Sequence, residues 1–410
     1  MVGAASSLLC IKDSAIIFNS PRWCALTAER ELCNVCKAFE ERLYCTEARQ
    51  DTLVFGIEEA LNCTLKEVYE RGIPSLISVI TSCSMSLIGD DIKGIATRFD
   101  KNVKFITMDA GGLTGSFANG FSRGLVQIVS MIPIDNIDFQ NDTVSVNILG
   151  LSTAYPHWEG DVYELKRLLS LIGIRVNIVL GIDALSLDEL IKIRAASMNI
   201  VVDRELGLEA ANLLKERHDM PFIVALCPYG FTGSIKWLQQ VADALNMNFD
   251  KDMIKNEILG VEEKIAEYCS WIQHNLPGFC LKQFVSSLPH DRLKCLIEAF
   301  YESSVDLLKF QEAFVKVSMD DCCCSNFKLK YWQDVSQIPT LLANEKRILL
   351  ASDRERILLS EYDRTIYVNI DSPAQRMHCT WTPFVGLKGW QNLVSNICEQ
   401  IITLEHIRNS

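Results

Sequence analysis

The stretch Ser75–Asp91, SLISVITSCSMSLIGDD, decides the fold prediction. Its first residues, Ser75–Ile80, indicate a buried strand because apolar side chains dominate a short run. The chain then passes Cys83 and reaches Gly89-Asp90-Asp91, a composition typical of a turn before a helix. A cysteine just past the carboxyl end of a parallel strand lies where open α/β sheets place their ligands. Cys83 is therefore the first candidate for a functional site.

Short apolar runs alternate with helical periods on both sides of this stretch. The sequence predicts a strand at Thr52–Phe55, a helix at Ile57–Arg71, a helix at Ile92–Phe99 and a strand at Val103–Met108. Such alternation is typical of βαβ units and a parallel sheet. The Gly-rich loop Asp109–Ser116 matches neither the phosphate-loop nor the dinucleotide pattern, and no phosphate-loop pattern occurs elsewhere in the chain. If nucleotide energy enters the chemistry, a partner must supply it.

A second α/β unit begins with a strand at Val144–Leu149. In its exit loop, His157 lies at a strand's carboxyl end and is a candidate catalytic residue, with a surface loop histidine as the alternative. Asp161 and Glu164 have the spacing of a capping box, so we expect Asp161 to cap the next helix.

The third part of the chain opens with two long helical patterns, Ile254–Asn275 and Arg292–Phe314. Short strands at Arg347–Ala351 and Thr365–Ile370 follow, and then a last helix. The intervening run Cys322–Cys324 is interpreted as a loop and not as a metal site, because adjacent cysteines point in different directions.

These patterns predict an α/β protein with three doubly wound, Rossmann-like parallel-sheet domains. We expect an irregular and helical segment at 1–50 and a first α/β domain with the cluster cysteines at 51–143. A second α/β domain is expected at 144–250, and a third with a helical insertion at 251–410.

Composition restricts the functional class. A net charge of -12 argues against a nucleic-acid partner, because phosphate binding needs a basic face. No apolar run approaches the roughly 20 residues that span a bilayer, and the first residues lack the pattern of a signal peptide. We therefore expect a cytoplasmic protein whose sixteen cysteines are reduced thiols. Seven of them precede residue 84, a density that suggests an inorganic cofactor.

Several segments, in their order along the chain, resemble nitrogenase component 1 and its relatives. That superfamily includes cofactor-assembly scaffolds, dark-operative protochlorophyllide reductase and the F430 reductive cyclase. The segments that carry the resemblance are Cys83-Ser-Met-Ser-Leu-Ile-Gly-Asp-Asp-Ile, Gly111-Gly-Leu-Thr-Gly-Ser, Val146-Asn-Ile-Leu-Gly, Glu164-Leu-Lys-Arg-Leu-Leu, Gly173-Ile-Arg-Val-Asn, Pro228-Tyr-Gly-Phe-Thr-Gly-Ser and Pro383-Phe-Val-Gly-Leu-Lys-Gly.

The resemblance implies an iron–sulfur cluster, 4Fe-4S or larger, held by three cysteines per chain at a subunit interface. Cys83 matches the third ligand of the family pattern, and Cys24 and Cys45 are the preferred upstream ligands. The family's glycine motif around the second cysteine is missing at Cys45, so Cys33 and Cys36 remain rivals for the upstream positions. Thiolates are the usual ligands of such clusters.

Two further positions depart from nitrogenase. Where that enzyme anchors its iron–molybdenum cofactor with a cysteine and a histidine, this chain has Asp203 and Val385. The resemblance therefore does not imply a molybdenum nitrogenase α subunit. His378 and Cys379 lie near the same slot, and we interpret them as wall or structural residues.

The function that this resemblance implies is an enzyme subunit, a nitrogenase-like oxidoreductase. It would form a homodimer, or a heterodimer or heterotetramer with a paralogue, and accept electrons from a separate ATP-dependent iron–sulfur reductase. The substrate would bind in an interdomain cleft, and the sequence does not identify it. The sequence also does not decide whether a second metallocluster or a tetrapyrrole binds there. The alternatives are a non-catalytic scaffold for metallocluster assembly and a cluster-free interaction partner.

Overall fold

The computed structural model describes residues 1–33, 37–134, 143–277, 279, 281, 283–303, 312–315, 328–331, 347–356, 365–371 and 381–409. Its contacts divide the chain into two units. The first consists of Met1–Ala154 and Val176–Val224, and the second of Tyr155–Arg175 and Ala225–Ser410.

The helices alternate with strands along most of the chain. The α-helices are α1 (Val2–Leu8), α2 (Arg22–Cys33), α3 (Gln50–Phe55), α4 (Glu58–Arg71), α5 (Cys83–Ser86), α6 (Ile92–Phe99), α7 (Phe117–Ser130), α8 (Trp158–Leu171), α9 (Arg204–His218), α10 (Gly230–Ala244), α11 (Asp252–Asn275), α12 (His290–Glu302), α13 (Asp353–Arg356) and α14 (Gly386–Asn409). Within the described residues, 3-10 helices cover Lys37–Arg42 and Asp188–Ala195.

The strands are β1 (Ser14–Asn19), β2 (Leu43–Cys45), β3 (Leu76–Thr81), β4 (Lys104–Asp109), β5 (Ser145–Leu149), β6 (Arg175–Leu180), β7 (Met198–Val201), β8 (Phe222–Val224), β9 (Gln283–Ser286), β10 (Glu312–Val315), β11 (Lys328–Tyr331), β12 (Arg347–Ala351) and β13 (Thr365–Asn369). They form three sheets with the orders β2-β1-β3-β4, β6-β5-β7-β8 and β11-β10-β9-β12-β13. The strand pairs whose register is described are all parallel. The predicted α/β class with parallel sheets is therefore confirmed.

The first sheet is stabilised by burial of its two central strands. All six residues of β1 and all six of β3 are buried, which explains why both strands are runs of mostly apolar residues without alternation. One stripe of α4 packs on this sheet because its apolar residues recur every three or four positions. The stripe consists of Leu61, Leu65 and Val68, with Ile57 just before the helix.

Two of the predicted elements are wrong. Thr52–Phe55 was expected as a strand but belongs to the short helix α3, where Val54 and Phe55 are exposed and Gly56 follows at φ +89°. A short apolar run cannot by itself distinguish a strand from a helix. The helix expected at Arg292–Phe314 ends at Glu302, and Glu312–Val315 is strand β10.

The first 50 residues contribute more to the fold than their irregular pattern suggested. Strand β1 lies within this segment, and it pairs with both β2 and β3. Two strands from this segment thus belong to the first sheet. The division at residues 50, 143 and 250 stays a prediction.

A helix that spans a bilayer needs about 20 mostly apolar residues. Among the helices that the structure describes, none is long and apolar enough to cross a membrane.

Candidate functional site

The three cysteines predicted as ligands follow three neighbouring parallel strands. Cys45 is the last residue of β2, Cys24 follows β1, and Cys83 follows β3. The register places Phe18 of β1 beside both Cys45 and Ile80, so the three strands end at nearly the same level. Adjacent strands lie about 4.8 Å apart. Parallel pairing therefore brings all three cysteines to one edge of the first sheet, which we call the cysteine edge.

Cys83 is held by the loop that follows β4. The N–H of Leu113 donates a hydrogen bond to Cys83 Sγ, with 3.3 Å between nitrogen and sulfur. Gly111 approaches so closely that a Cβ there would lie 2.5 Å from both Sγ and N of Cys83. Only a glycine fits at this position. The close approach to Cys83 therefore explains why the loop Asp109–Ser116 has a glycine here, although the loop matches no nucleotide-binding pattern.

The Gly89-Asp90-Asp91 sequence shapes the chain beyond Cys83. Gly89 has φ +78°, a conformation that glycine adopts without strain. Asp90 Oδ2 accepts a hydrogen bond from the N–H of Ile57 at 3.0 Å. Asp91 caps α6 by accepting from the N–H of Gly94 at 2.9 Å, the turn-then-helix arrangement that the sequence predicts.

Cys45 has backbone partners of its own. Its Sγ accepts from the N–H of Glu47 at 3.2 Å, and its S–H donates to the carbonyl oxygen of Ser20 at 3.4 Å. Burial raises the pKa of the Cys45 thiol, although hydrogen bonds from the Glu47 N–H and from the Ser20 hydroxyl act in the opposite direction. A metal that binds here must therefore displace a proton. Sequence reasoning missed both partners, because neither residue type signals such a contact.

Cys24 and its rival Cys33 lie at opposite ends of α2. Cys24 is exposed in the first turn, and its N–H donates to the carbonyl oxygen of Pro21 at 3.1 Å. Cys33 is the last residue of the same helix, about 14 Å away along the axis. The choice between Cys24 and Cys33 as an upstream ligand stays a prediction. Cys36 lies outside the described residues.

Within the part of the chain that the structure describes, no three His, Cys, Asp or Glu side chains are grouped to hold a single metal ion. A cluster makes a different demand, because each of its ligands bonds to a different iron atom and the sulfurs stand further apart. The donor set fits that demand: it consists of thiols, two of which already accept backbone N–H hydrogen bonds. These residues suit a cluster better than a lone ion.

Large apolar side chains stand exposed around the cysteine edge. Trp23 precedes Cys24 and is 82% exposed, Leu87 follows the helix of Cys83 and is 83% exposed, and Leu113 is 84% exposed. Single exposed apolar residues are ordinary, but a group of them is typical of an interaction site. We call these three residues the apolar collar.

His157 belongs to the second unit and immediately precedes α8. Its Nδ1 lies 3.0 Å from the carbonyl oxygen of Thr382, and its Nε2 lies 2.9 Å from that of Asn369. Its ring stacks on Phe384 with 3.7 Å between centroids. A neutral imidazole has one N–H and donates to only one of these carbonyls. These contacts indicate that His157 joins chain segments, and its catalytic role stays a prediction.

The structure corrects the expected role of Asp161. Helix α8 begins at Trp158, so Asp161 does not cap it. Its Oδ1 instead accepts from the N–H groups of Phe384 and Val385 at 2.7 and 3.1 Å. Glu164 Oε1 accepts from the N–H of Lys388 at 3.0 Å. The two acids therefore satisfy donors at the start of α14.

The remaining sequence candidates divide into two groups. Asp203 caps α9, with Oδ1 3.2 Å from the N–H of Leu206, and Val385 is buried. Cys322–Cys324, His378 and Cys379 lie outside the described residues.

Comparison with known proteins identifies the family. A family model described as nitrogenase component 1 type oxidoreductase matches residues 1–275 of the 410. The chain belongs to this family. The resemblance carried by the sequence motifs is thereby confirmed.

Curated relatives within the nitrogenase component 1 type family include the B subunit of light-independent protochlorophyllide reductase from Synechococcus sp. It is 28% identical over 238 residues, which cover 55% of this chain and 46%, about half, of that protein. The protein of the same name from Chlorella vulgaris is 23% identical, covering 92% of this chain and 76% of its own. A solved structure described as nitrogenase Cp1 at pH 6.5 superposes with a TM-score of 0.76 at 16% identity, covering 98% of this chain and 91% of that one. The superposition shows the shared fold.

Proposed function

We propose that this chain is the cluster-bearing subunit of a nitrogenase-like oxidoreductase. In the proposal Cys24, Cys45 and Cys83 supply thiolates to an iron–sulfur cluster that a second subunit, identical or paralogous, helps to enclose. The observation that carries the proposal is the placement of these cysteines at or beyond the carboxyl ends of three adjacent parallel strands. Family membership supports the type of cofactor.

The protein's own residues have definite tasks in this proposal. The N–H groups of Leu113 and Glu47 point at the sulfurs of Cys83 and Cys45 and would stabilise their negative charge. Such hydrogen bonds are one of the means by which a protein sets the potential of a cluster. Gly111 allows the Leu113 loop to reach Cys83. A bound cluster would supply one-electron transfer.

The proposal includes a second subunit, a separate reductase and a substrate. The apolar collar of Trp23, Leu87 and Leu113 suits the second subunit, because its burial would exclude water from the cysteine edge. If nucleotide energy enters the chemistry, a separate ATP-dependent reductase would supply it, because the sequence contains no phosphate-loop pattern. Because curated relatives are named as the B subunit of light-independent protochlorophyllide reductase, protochlorophyllide is the first substrate to test.

The test is anaerobic purification followed by iron analysis, visible absorption and EPR of the reduced protein. Wild type is compared with Cys83→Ala and with Cys63→Ala, whose thiol is exposed on α4 and lies outside the proposed ligand set. We expect a broad visible shoulder and a reduced-state EPR signal in wild type and Cys63→Ala, and loss of both in Cys83→Ala. An unchanged spectrum in Cys83→Ala would overturn the proposal.

A second measurement separates the enzyme from the scaffold. Steady substrate reduction with a reductase partner and ATP supports the oxidoreductase. Release of the cluster to an apo-protein acceptor, without turnover, would assign the chain to metallocluster assembly instead.

A further inference from the structure

Arg292 lies at the edge of the third sheet where parallel α/β domains commonly hold ligands. It is in the first turn of α12, the helix that follows β9. The strand order β11-β10-β9-β12-β13 changes direction at β9, because the chain continues to β10 on one side of β9 and later to β12 on the other. In open α/β sheets, ligands bind outside the carboxyl ends of the strands at such a switch point. Arg292 thus occupies a position suited to ligand binding.

The guanidinium of Arg292 is buried, and its donors are only partly satisfied. The residue is 5% exposed. Its Nε donates to the hydroxyl of Tyr229 at 3.2 Å, and its Cζ lies 4.3 Å from the centre of the Tyr155 ring. Its Nη2 lies 3.9 Å from Oδ2 of Asp161, which is beyond hydrogen-bond distance. Its Nη1 is buried and has no hydrogen-bond partner among the described residues.

The neighbouring carboxylate of Asp161 does not satisfy this guanidinium. Its Oδ1 accepts from the N–H groups of Phe384 and Val385, which direct the carboxylate toward the start of α14. Arg167, in contrast, donates from Nε, Nη1 and Nη2 to carboxylate oxygens at 2.7 to 2.9 Å. A buried charged donor without an acceptor destabilises the folded state. The Nη1 of Arg292 therefore needs an acceptor that carries negative charge.

Three helices begin around Arg292. Tyr229 directly precedes α10, Asp161 is the fourth residue of α8, and Arg292 itself is near the start of α12. In the described structure, the N-cap residues of these three helices make no side-chain capping hydrogen bond. The amino end of a helix carries partial positive charge and presents N–H donors. These helix ends therefore favour an anion beside the guanidinium.

Tyr229 can supply a further donor. Its residue is 1% exposed, and burial raises the pKa of Tyr229, so the hydroxyl keeps its proton at neutral pH. The oxygen of this hydroxyl accepts from Nε of Arg292, which leaves its proton for a second acceptor.

We propose that Arg292 and Tyr229 bind a small oxyanion, a carboxylate or a phosphate, at the amino ends of α8, α10 and α12. Arg292 donates from Nη1 and Tyr229 from its hydroxyl, so two donors and one positive charge meet the anion. Hydrogen bonds between charged partners are the strong ones. The ion must be compact, since both residues are almost completely buried.

The proposal is independent of the cluster. Tyr155, Asp161, Tyr229 and Arg292 all belong to the second unit, whereas the cysteine edge belongs to the first. Loss of oxyanion binding would therefore leave the iron–sulfur proposal untouched, and loss of iron would leave this one untouched.

The experiment is isothermal titration calorimetry of the full-length chain with sodium phosphate and, separately, sodium acetate. Sodium chloride at the same ionic strength is the reference. We expect one site per chain for at least one of the two oxyanions. Arg292→Lys should weaken binding roughly tenfold or more, because a lysine ammonium keeps the charge but lacks the planar fork of donors.

Arg167→Lys is the matched control. It makes the same chemical change at an arginine whose three nitrogens already meet Glu164 and Glu257, so the affinity for the oxyanion should stay that of wild type. Circular dichroism melts verify that both variants are folded.

The outcomes are distinct. Binding of phosphate alone, of acetate alone or of both supports the proposal and identifies the class of oxyanion. Heats equal to those of sodium chloride for both salts would contradict it, and so would equal affinity in wild type and folded Arg292→Lys. If Arg292→Lys does not fold, Tyr229→Phe, which keeps the guanidinium, takes its place, and an affinity equal to that of wild type would then contradict the proposal.

Discussion

The cysteine edge and the junction between α8 and α14 both contain polar groups that need hydrogen-bond partners. The two regions differ in how many of those partners the chain itself supplies. At the cysteine edge, Cys83 and Cys45 receive single backbone N–H groups, and apolar side chains face solvent around them. At the junction, buried acids are paired within the chain. The cysteine edge therefore has the properties of a surface that another molecule covers. The junction has its acids paired within the chain and needs no partner for them.

The junction shows what internal completion requires. Glu164 is fully buried and accepts two hydrogen bonds from Arg167, at 2.7 and 2.9 Å, besides that from the N–H of Lys388. Arg167 also donates to Glu257 at 2.8 Å. Each charge thus has an opposite charge beside it. At the cysteine edge, by contrast, the described ion pairs of Glu47 with Arg22 and Arg49 are exposed to solvent.

The largest effect is expected on iron content when one of two adjacent glycines at the cysteine edge is replaced. Gly111→Ala should lower iron content per chain at least tenfold, because its Cβ would overlap Cys83 Sγ and N at 2.5 Å. Gly112→Ala is the matched control, since a Cβ there meets nothing within 4 Å. Iron and sulfide analysis after anaerobic purification makes the comparison. Equal iron in both variants would contradict the assigned role of Gly111.

The next largest effect is expected on stability, when an internal ion pair of the junction is removed. Glu164→Ala should lower the unfolding free energy by about 3–5 kcal/mol, because it leaves Arg167 without its buried partner. Glu262→Ala, at an exposed position of α11, should change it by less than about 0.5 kcal/mol. Urea unfolding followed by circular dichroism measures both. A loss below about 1 kcal/mol for Glu164→Ala would mean that the pair adds little.

Asp161 gives the junction a pH dependence in the acidic range. Burial raises its pKa from 3.8 to about 6, outweighing Arg292 and the N–H donors of Phe384 and Val385. Between these values the folded state binds the proton more tightly than the unfolded state, so stability falls as pH rises through the window.

The corresponding variant is Asp161→Asn, which keeps an oxygen acceptor but does not titrate. Relative to it, wild type should lose about 3 kcal/mol of unfolding free energy as pH rises from about 4 to 6. Denaturant unfolding at several pH values measures the difference. Parallel curves for the two proteins would contradict the burial argument.

The smallest effect on stability is expected at the apolar collar. Trp23→Ser and Leu87→Ser remove exposed side chains, so each should change the unfolding free energy by less than about 0.5 kcal/mol. Each should nevertheless weaken subunit association roughly tenfold, measured by sedimentation velocity. Ile73→Ser, which precedes the opposite end of β3, is the control. If all three variants associate with the second subunit equally well, the apolar collar is not part of the subunit interface.

The sequence was most informative where structure is local. The strand before Cys83 and helix α6 could be predicted because apolar period and turn residues specify them directly. The three-residue strand β2 could not, since a strand so short carries no period. Asp161 was misassigned because its partners lie more than two hundred residues away.

The same limit applies to the candidate site. Cys83 could be chosen from sequence because it follows a buried strand in a family-like motif. The roles of Gly111 and of the Leu113 N–H depend on how one loop folds over another, which no local pattern encodes. The sequence left Cys24 and Cys33 as alternatives, and they lie at opposite ends of α2.

The most direct test of the central claim is diffraction at the iron absorption edge from crystals of the anaerobically purified protein with its partner subunit. The account predicts anomalous iron density at the carboxyl edge of the first sheet, bonded to Cys24, Cys45 and Cys83. Iron density elsewhere, or density at this edge that leaves Cys83 unbonded, would contradict it.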